Sequence, residues 1–125
     1  LLYEISRGRE RRFIMNAVTV NAGDLEWLGA PGYPGGTEEK VLSVGGSIAP
    51  RVTMLKLPPG WKMDAHSHRF TELHYVLEGQ LESEGKKYPA GTFRVIPKRV
   101  AHGPFSSETG AVVLVIWCSL AEESD

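Results

Sequence analysis

Short runs of alternating apolar and polar positions, separated by glycine and proline, make up most of this chain. A period of two is the mark of a half-buried strand, because successive side chains of a strand point to opposite faces. The pattern predicts strands over Ala17–Val20, Glu39–Ser43, Arg51–Leu57, Glu72–Leu77, Gln80–Ser83, Lys86–Tyr88, Thr92–Ile96 and Ala111–Trp117. Glu78-Gly79 and Glu84-Gly85 read as hairpin turns, each with a glycine free to take positive φ. No stretch sustains a helical period, and Asp24-Leu-Glu-Trp27 offers a single helical turn at most. Many short strands with frequent turn signals predict an all-β sandwich or barrel.

Residues 29–36, Gly-Ala-Pro-Gly-Tyr-Pro-Gly-Gly, form a loop too short to link two domains. With no internal repeat and 125 residues, one core is expected. The division read from the pattern is an N-terminal arm over 1–16 and one domain over 17–120. Met15 is a candidate natural start, which would make residues 1–14 partly a leader remnant.

Charge narrows the partners. Lys and Arg total 14 against 15 for Asp and Glu, so neither nucleic acid nor a membrane surface is an expected partner of the domain. The basic patch Arg7-Gly-Arg9-Glu-Arg11-Arg12 is interrupted by Glu10 and reads as a solvated arm. Cys118 stands alone, which excludes an intrachain disulfide and a stapled secreted scaffold and makes a cytoplasmic location the expectation. The longest apolar run, Ala111–Cys118, is too short to span a bilayer as a helix.

The chemistry lies in four residues. His66 and His68 alternate along the chain, so a strand would point both imidazoles to one side. Glu72 has the same parity. His102 lies far off in sequence, and a strand pairing back could set it opposite the other three. Three imidazoles and a carboxylate suit one divalent transition metal ion (Fe, Mn, Ni or Zn), and poorly suit the all-oxygen preference of calcium or magnesium. His74 shares the parity of Glu72; it is either a catalytic proton shuttle or donor to the site, or a hydrogen-bonded core histidine. Met54, Trp61, Phe70, Phe93 and Trp117 are candidates for an apolar substrate pocket, although residues of these types are more often plain core. Nothing suggests a serine nucleophile, a phosphate loop or a dinucleotide fingerprint.

The spacing Gly60-x5-His66-x-His68-x3-Glu72-x6-Gly79 matches the first cupin motif, and Gly91-x5-Pro97 followed by His102 matches most of the second. The chain thus resembles the single-domain cupins from about Val18 to Cys118. It looks most like the small cupin domains of ChrR-type anti-sigma factors, on Trp27, the segment 35–42, Leu57-Pro-Pro-Gly60 and His102-Gly-Pro-Phe105. Two positions depart from the second motif: Arg99 stands where glycine is usual and Ser106 where asparagine is common. Arg99 is thereby a candidate for the pocket mouth, although an arginine at such a position is more often simply exposed.

The resemblance implies a small cupin barrel, the double-stranded β-helix or jelly roll, with the metal on His66, His68, Glu72 and His102. It also implies two functional classes. One is a metal-dependent enzyme of dioxygenase or isomerase type acting on a small oxygenated organic molecule. The other is a non-catalytic zinc or ligand sensor acting through a protein partner. A vestigial site in a larger complex is a third reading, which the intact ligand set opposes. A homodimer is expected, since Phe13, Ile14, Val18 and Val20 would help cover open sheet edges.

Overall fold

The computed structural model describes residues 2–7 and 10–118, with side chains described from Asn16 onward. Eleven strands form: β1 (Leu2–Arg7), β2 (Glu10–Met15), β3 (Leu28–Gly29), β4 (Glu38–Val44), β5 (Arg51–Leu57), β6 (Trp61–Met63), β7 (Thr71–Ser83), β8 (Lys86–Pro89), β9 (Phe93–Ile96), β10 (Phe105–Ser107) and β11 (Ala111–Cys118). Among the described residues, β1 and β2 pair only with each other. The other nine form one sheet in the order β3-β4-β5-β11-β7-β10-β6, with β8 and β9 also on β7. Curled on itself, this sheet is an all-β half-barrel.

β7 is the hinge of the architecture. Its first part pairs with β9 and β11, from Glu72↔Ile96 and Glu72↔Trp117 up to Gly79↔Ala111. Its last residues pair with β8 and β10 instead, ending at Ser83↔Lys86 and Ser83↔Phe105. One strand therefore runs from one wall of the barrel into the other. The turn expected at Glu78-Gly79 does not form, and the two strands predicted on either side of it are one. The register slips between Val112 and Val113, leaving Leu77 as an extra residue. Gly79 has φ 71°, and a Cβ there would strike the Gly110 carbonyl oxygen. The glycine thus serves a bulge that bends the strand rather than a reversal. The second expected turn is real: Glu84 at φ 54° and Gly85 at φ 76° close β7 onto β8 in the left-handed manner tight hairpins need.

Alternation decides which residues reach the core. Thr53, Leu55 and Leu57 of β5 point inward, as do Glu72, His74 and Val76 of β7 and Val113 and Val115 of β11. Trp61, Leu81 and Phe105 complete the packed cluster. Burial of a Leu or Val side chain contributes about 1.5–3 kcal/mol, so this inner layer carries much of the fold. Trp61 also donates from Nε1 to Thr37 Oγ1 at 2.8 Å, which satisfies a buried polar group on each partner.

Two further expectations change, and a third is not tested. Ala17–Val20 forms no strand and is exposed throughout, because no neighbouring strand pairs with it. The single helical turn lies at Ala22–Asp24, where Asn21 Oδ1 accepts from Gly23 N, and not at Asp24–Trp27. The expected apolar roles of Phe13 and Ile14, like any leader within residues 1–14, concern side chains outside the described residues. No helix is long and apolar enough to cross a membrane among the described residues.

Candidate metal centre

The site begins with backbone pairing. His66 N donates to His102 O at 2.9 Å and His102 N donates to His66 O at 2.8 Å, an isolated antiparallel bridge. Residues facing each other in this way present side chains on the same face. Two residues further along, Arg99 N donates to His68 O at 2.7 Å, which ties the second histidine to the same returning chain. Arg99 adopts φ 61°, the left-handed conformation for which glycine is the unstrained residue.

The three rings converge. Centroids lie 4.5 Å apart for His66–His68, 4.4 Å for His66–His102 and 4.9 Å for His68–His102. Their ligand nitrogens all fall within 4.8 Å of one another, so the three could hold one ion. Glu72, 3% exposed, enters from β7 with Oε2 2.7 Å from His68 Nε2 and Oε1 2.8 Å from His74 Nε2. His74 thus reaches the edge of the cluster, 6.1 Å from the His102 ring, through this carboxylate.

Which nitrogens are free is legible from their partners. His66 Nδ1 lies 2.9 Å from Asp64 O, so it carries the proton and donates, leaving Nε2 as the lone pair that faces the cluster. Both ring nitrogens of His102 are buried with no hydrogen-bond partner among the described residues, and buried His68 Nε2 and Glu72 Oε2 have only each other, 2.7 Å apart and not aligned as a hydrogen bond. Buried donors and acceptors are ordinarily satisfied, so a group of orphaned ligand atoms around one point fits a bound cation. Burial, helped by the neighbouring His66 and His68 and opposed by Glu72, pushes the His102 imidazolium pKa down to about 4. Burial also lowers that of His68, against the pull of Glu72. Both rings are then neutral near pH 7, the form that binds metal.

Around the cluster is an inner cavity of about 40 Å³, floored by Leu55, Leu57, Trp61, Leu81, Val113 and Val115. Phe105 meets His102 edge-on at 5.0 Å and walls one side. Two wider grooves lie outside. One, of about 930 Å³, runs past Lys62, Asp64, His66, His68 and Phe105; the other, of about 760 Å³, runs past Arg51, Arg69, Phe70, His68 and Trp117. Tyr33 borders the inner cavity and both grooves. Burial, and then the charge of Glu72, push its hydroxyl pKa above the usual phenol range.

The structure brings His66, His68, Glu72, His102 and His74 together, and puts Trp61 in the cavity floor. Phe70 and Trp117 line only the second groove. Met54 and Phe93 do not face the cavity: each has the strand parity opposite to the buried positions, and Phe93 is 56% exposed. Arg99 is exposed and touches the site through its backbone. Sequence reasoning missed Tyr33 and Phe105. The first sits in a Gly-Pro loop with no periodicity, while Phe105 follows His102 closely enough to have been considered.

Comparison with known proteins agrees with the fold. A family model described as the ChrR cupin-like domain matches residues 15–121. The anti-sigma-E factor ChrR of Cereibacter sphaeroides is 31% identical over 70 residues, covering 56% of this chain and 32% of that protein. This chain therefore spans about a third of the length of that curated relative. Among solved structures, ChrR in its complex with SigE from Rhodobacter sphaeroides superposes with a TM-score of 0.63 at 24% identity, over 78% of this chain and 52% of that one. A putative acetylacetone dioxygenase from Methylibium petroleiphilum PM1 gives 0.73 at 15% identity, over 83% and 78%. Both share the cupin fold found here. The chain belongs to the family of ChrR cupin-like domains.

Proposed function

We propose that this domain binds one divalent transition-metal ion through His66, His68, His102 and Glu72, and that the metal serves regulation through a protein partner rather than turnover of a substrate. The carrying observation is the size of the space beside the ligands. A cavity of about 40 Å³ walled by Leu, Val, Trp and Phe side chains accepts an ion with a water, but not an organic molecule. Membership in the ChrR family supports the same reading, although a fold alone does not fix function.

In this reading the chain's own residues do the following. His66 Nδ1 donates to Asp64 O and so aims Nε2 inward. His74 Nε2 donates to Glu72 Oε1 and holds the carboxylate in one orientation. Tyr33 and Phe105 restrict water. A bound ion would supply a positive charge that fixes the four ligands, and with them the loop 64–72 and the return at 97–102.

A second reading has one observation in its favour. The 930 Å³ groove reaches the exposed edges of His66 and His68, so a small oxygenated molecule could approach a metal from that side. The experiment is reconstitution of apoprotein with Fe(II), Mn(II), Ni(II) and Zn(II) separately. Each sample is then screened for melting temperature and for oxygen uptake with diketones, hydroxy acids and catechol-like compounds. Stabilisation by metal without turnover supports regulation. Oxygen consumption that follows the redox-active metals and is lost in His66→Ala would replace it with an oxygenase.

A further inference from the structure

The second outer groove, of about 760 Å³, has the size of an ordinary small-molecule site, and two kinds of side chain line it. Val44, Phe70 and Trp117 are apolar, and Val44 and Phe70 are 77% and 42% exposed, surface that the core does not use. Arg51 and Arg69 are cationic. Glu39 is the one carboxylate among the lining residues, and its Oε1 lies 3.9 Å from Arg51 Nη2, too far for a hydrogen bond. Arg69 has no ion pair among the described residues. Two guanidiniums thus face one carboxylate, beside an apolar wall.

Both arginines stand on fixed backbone. Gly45, at φ 84°, passes so close that a Cβ there would lie 2.9 Å from Arg51 Cβ. Gly46 N donates to Ala49 O at 3.0 Å and Ser43 Oγ to Pro50 O at 2.7 Å, which closes the turn leading into Arg51. On the opposite wall the chain is tied on both sides of Arg69. His68 O accepts from Arg99 N at 2.7 Å, and Thr71 Oγ1 accepts from Lys98 N at 3.3 Å. Walls ordered in advance lose little freedom when a ligand binds. The Arg51 guanidinium also lies 5.7 Å from the centre of the Trp117 ring, so a charged donor adjoins an aromatic face.

We propose that this groove binds a small aromatic carboxylate, its charge held by Arg51 and Arg69 and its ring laid against Trp117 and Phe70. A guanidinium offers parallel donors that match a carboxylate, and the apolar wall selects an anion that carries a ring. The pocket expected from the sequence placed Phe70 and Trp117 around a substrate of the metal. Here the anchor is the chain's own charge, on two arginines that were not among those candidates. The inference deepens the regulatory reading by naming its ligand, because Tyr33 and His68 line both this groove and the inner cavity. Binding itself does not require the ion.

Titration of residues 1–125 with benzoate tests the proposal, by calorimetry and by ¹H–¹⁵N spectra in which the three tryptophans give three indole signals. Trp117→Phe assigns the signal of Trp117, which should move with benzoate while that of Trp27 stays. Arg51→Gln and Arg69→Gln should each weaken binding at least ~10-fold, since each removes a charged donor. Their melting temperatures should persist, which separates a lost site from a lost fold. Benzamide, a ring without the charge, and acetate, a charge without the ring, should bind at least ~10-fold more weakly than benzoate. His102→Ala should bind benzoate as the wild type does. Loss of zinc binding by the wild type would defeat the metal reading and leave this result standing. No saturation by ~10 mM, a range that a ligand of about nine heavy atoms should reach, overturns the proposal. So do benzamide binding equal to that of benzoate and undiminished binding in both arginine variants. Binding that needs zinc and vanishes in His102→Ala also overturns it, because the carboxylate would then sit on the metal. Binding that appears only after removal of residues 119–125 does the same, with the acidic Glu122, Glu123 and Asp125 then the occupant.

Discussion

His66 and His102 exchange both of their backbone hydrogen bonds, at 2.9 and 2.8 Å, although 35 residues separate them in sequence by their numbers. Two of the three imidazoles are therefore brought together by the main chain and not by a metal.

His102→Ala should leave that bridge and the fold in place while removing one ring. Metal affinity should fall by at least ~100-fold, as loss of a direct ligand exceeds loss of a supporting residue. Isothermal titration with Zn(II), alongside far-UV circular dichroism, checks both halves. Undiminished zinc binding would exclude His102 as a ligand.

His74 should act through Glu72. His74→Phe removes the 2.8 Å donor to Oε1 and frees the carboxylate to rotate, which should cost about 10–100-fold in metal affinity. His74→Gln keeps a donor and should recover part of it. Equal affinity in all three proteins would make His74 a core residue only.

Acid should destabilise the metal-free domain in a defined window. His102 titrates at about 4 when folded, below the ordinary histidine value of 6.5 it regains when unfolded. Between those values the unfolded chain binds the extra proton, so stability is full above pH 6.5 and is lost as pH falls towards 4. Denaturant midpoints of apoprotein across that range should decline, and His102→Phe should flatten the decline. A wild-type curve flat from pH 7 to 4 would contradict the burial argument.

Arg99 and Gly79 make a pair of opposite backbone tests. Arg99 sits at φ 61°, where a side chain costs about 1–2 kcal/mol, so Arg99→Gly should gain roughly 0.5–1 kcal/mol after the entropy cost of glycine. Gly79→Ala should lose more than about 2 kcal/mol, because strained φ is joined by collision with the Gly110 carbonyl. Chemical denaturation measures both.

Strands long enough to show a period of two were readable: Arg51–Leu57 is found with the predicted bounds, and β4, β9 and β11 lie within a residue or so of theirs. β6 and β10 have three residues each, which is too few for a period, and they exist because β7 and each other supply partners. Glu78-Gly79 misled because positive φ serves a bulge as well as a turn. The grouping of His66, His68, Glu72 and His102 was legible through motif spacing, but not through strand parity: His66 and His68 precede β7 outside any strand, and a single bridge to His102 aligns them. The pocket was less so. Lys56 shares parity with Met54 and already marked that face as the solvent side. Phe93 needed the register with Tyr75, which only tertiary pairing sets. Tyr33 acquires its place from a loop whose path no periodicity records.

β7 carries Glu72 and His74 on one side and Leu73 and Tyr75 on the other. Glu72, beside the histidine cluster, and Leu73 and Tyr75, on the outer face, are thus neighbours along one backbone, with no intervening layer. Any displacement of this strand that alters one side alters the other. If metal binding shifts β7, amides on both sides of the strand should change their hydrogen-exchange rates together when Zn(II) is added. Rates at Leu73 and Tyr75 that stay unchanged while those at Glu72 and His74 slow would mean that the strand transmits nothing.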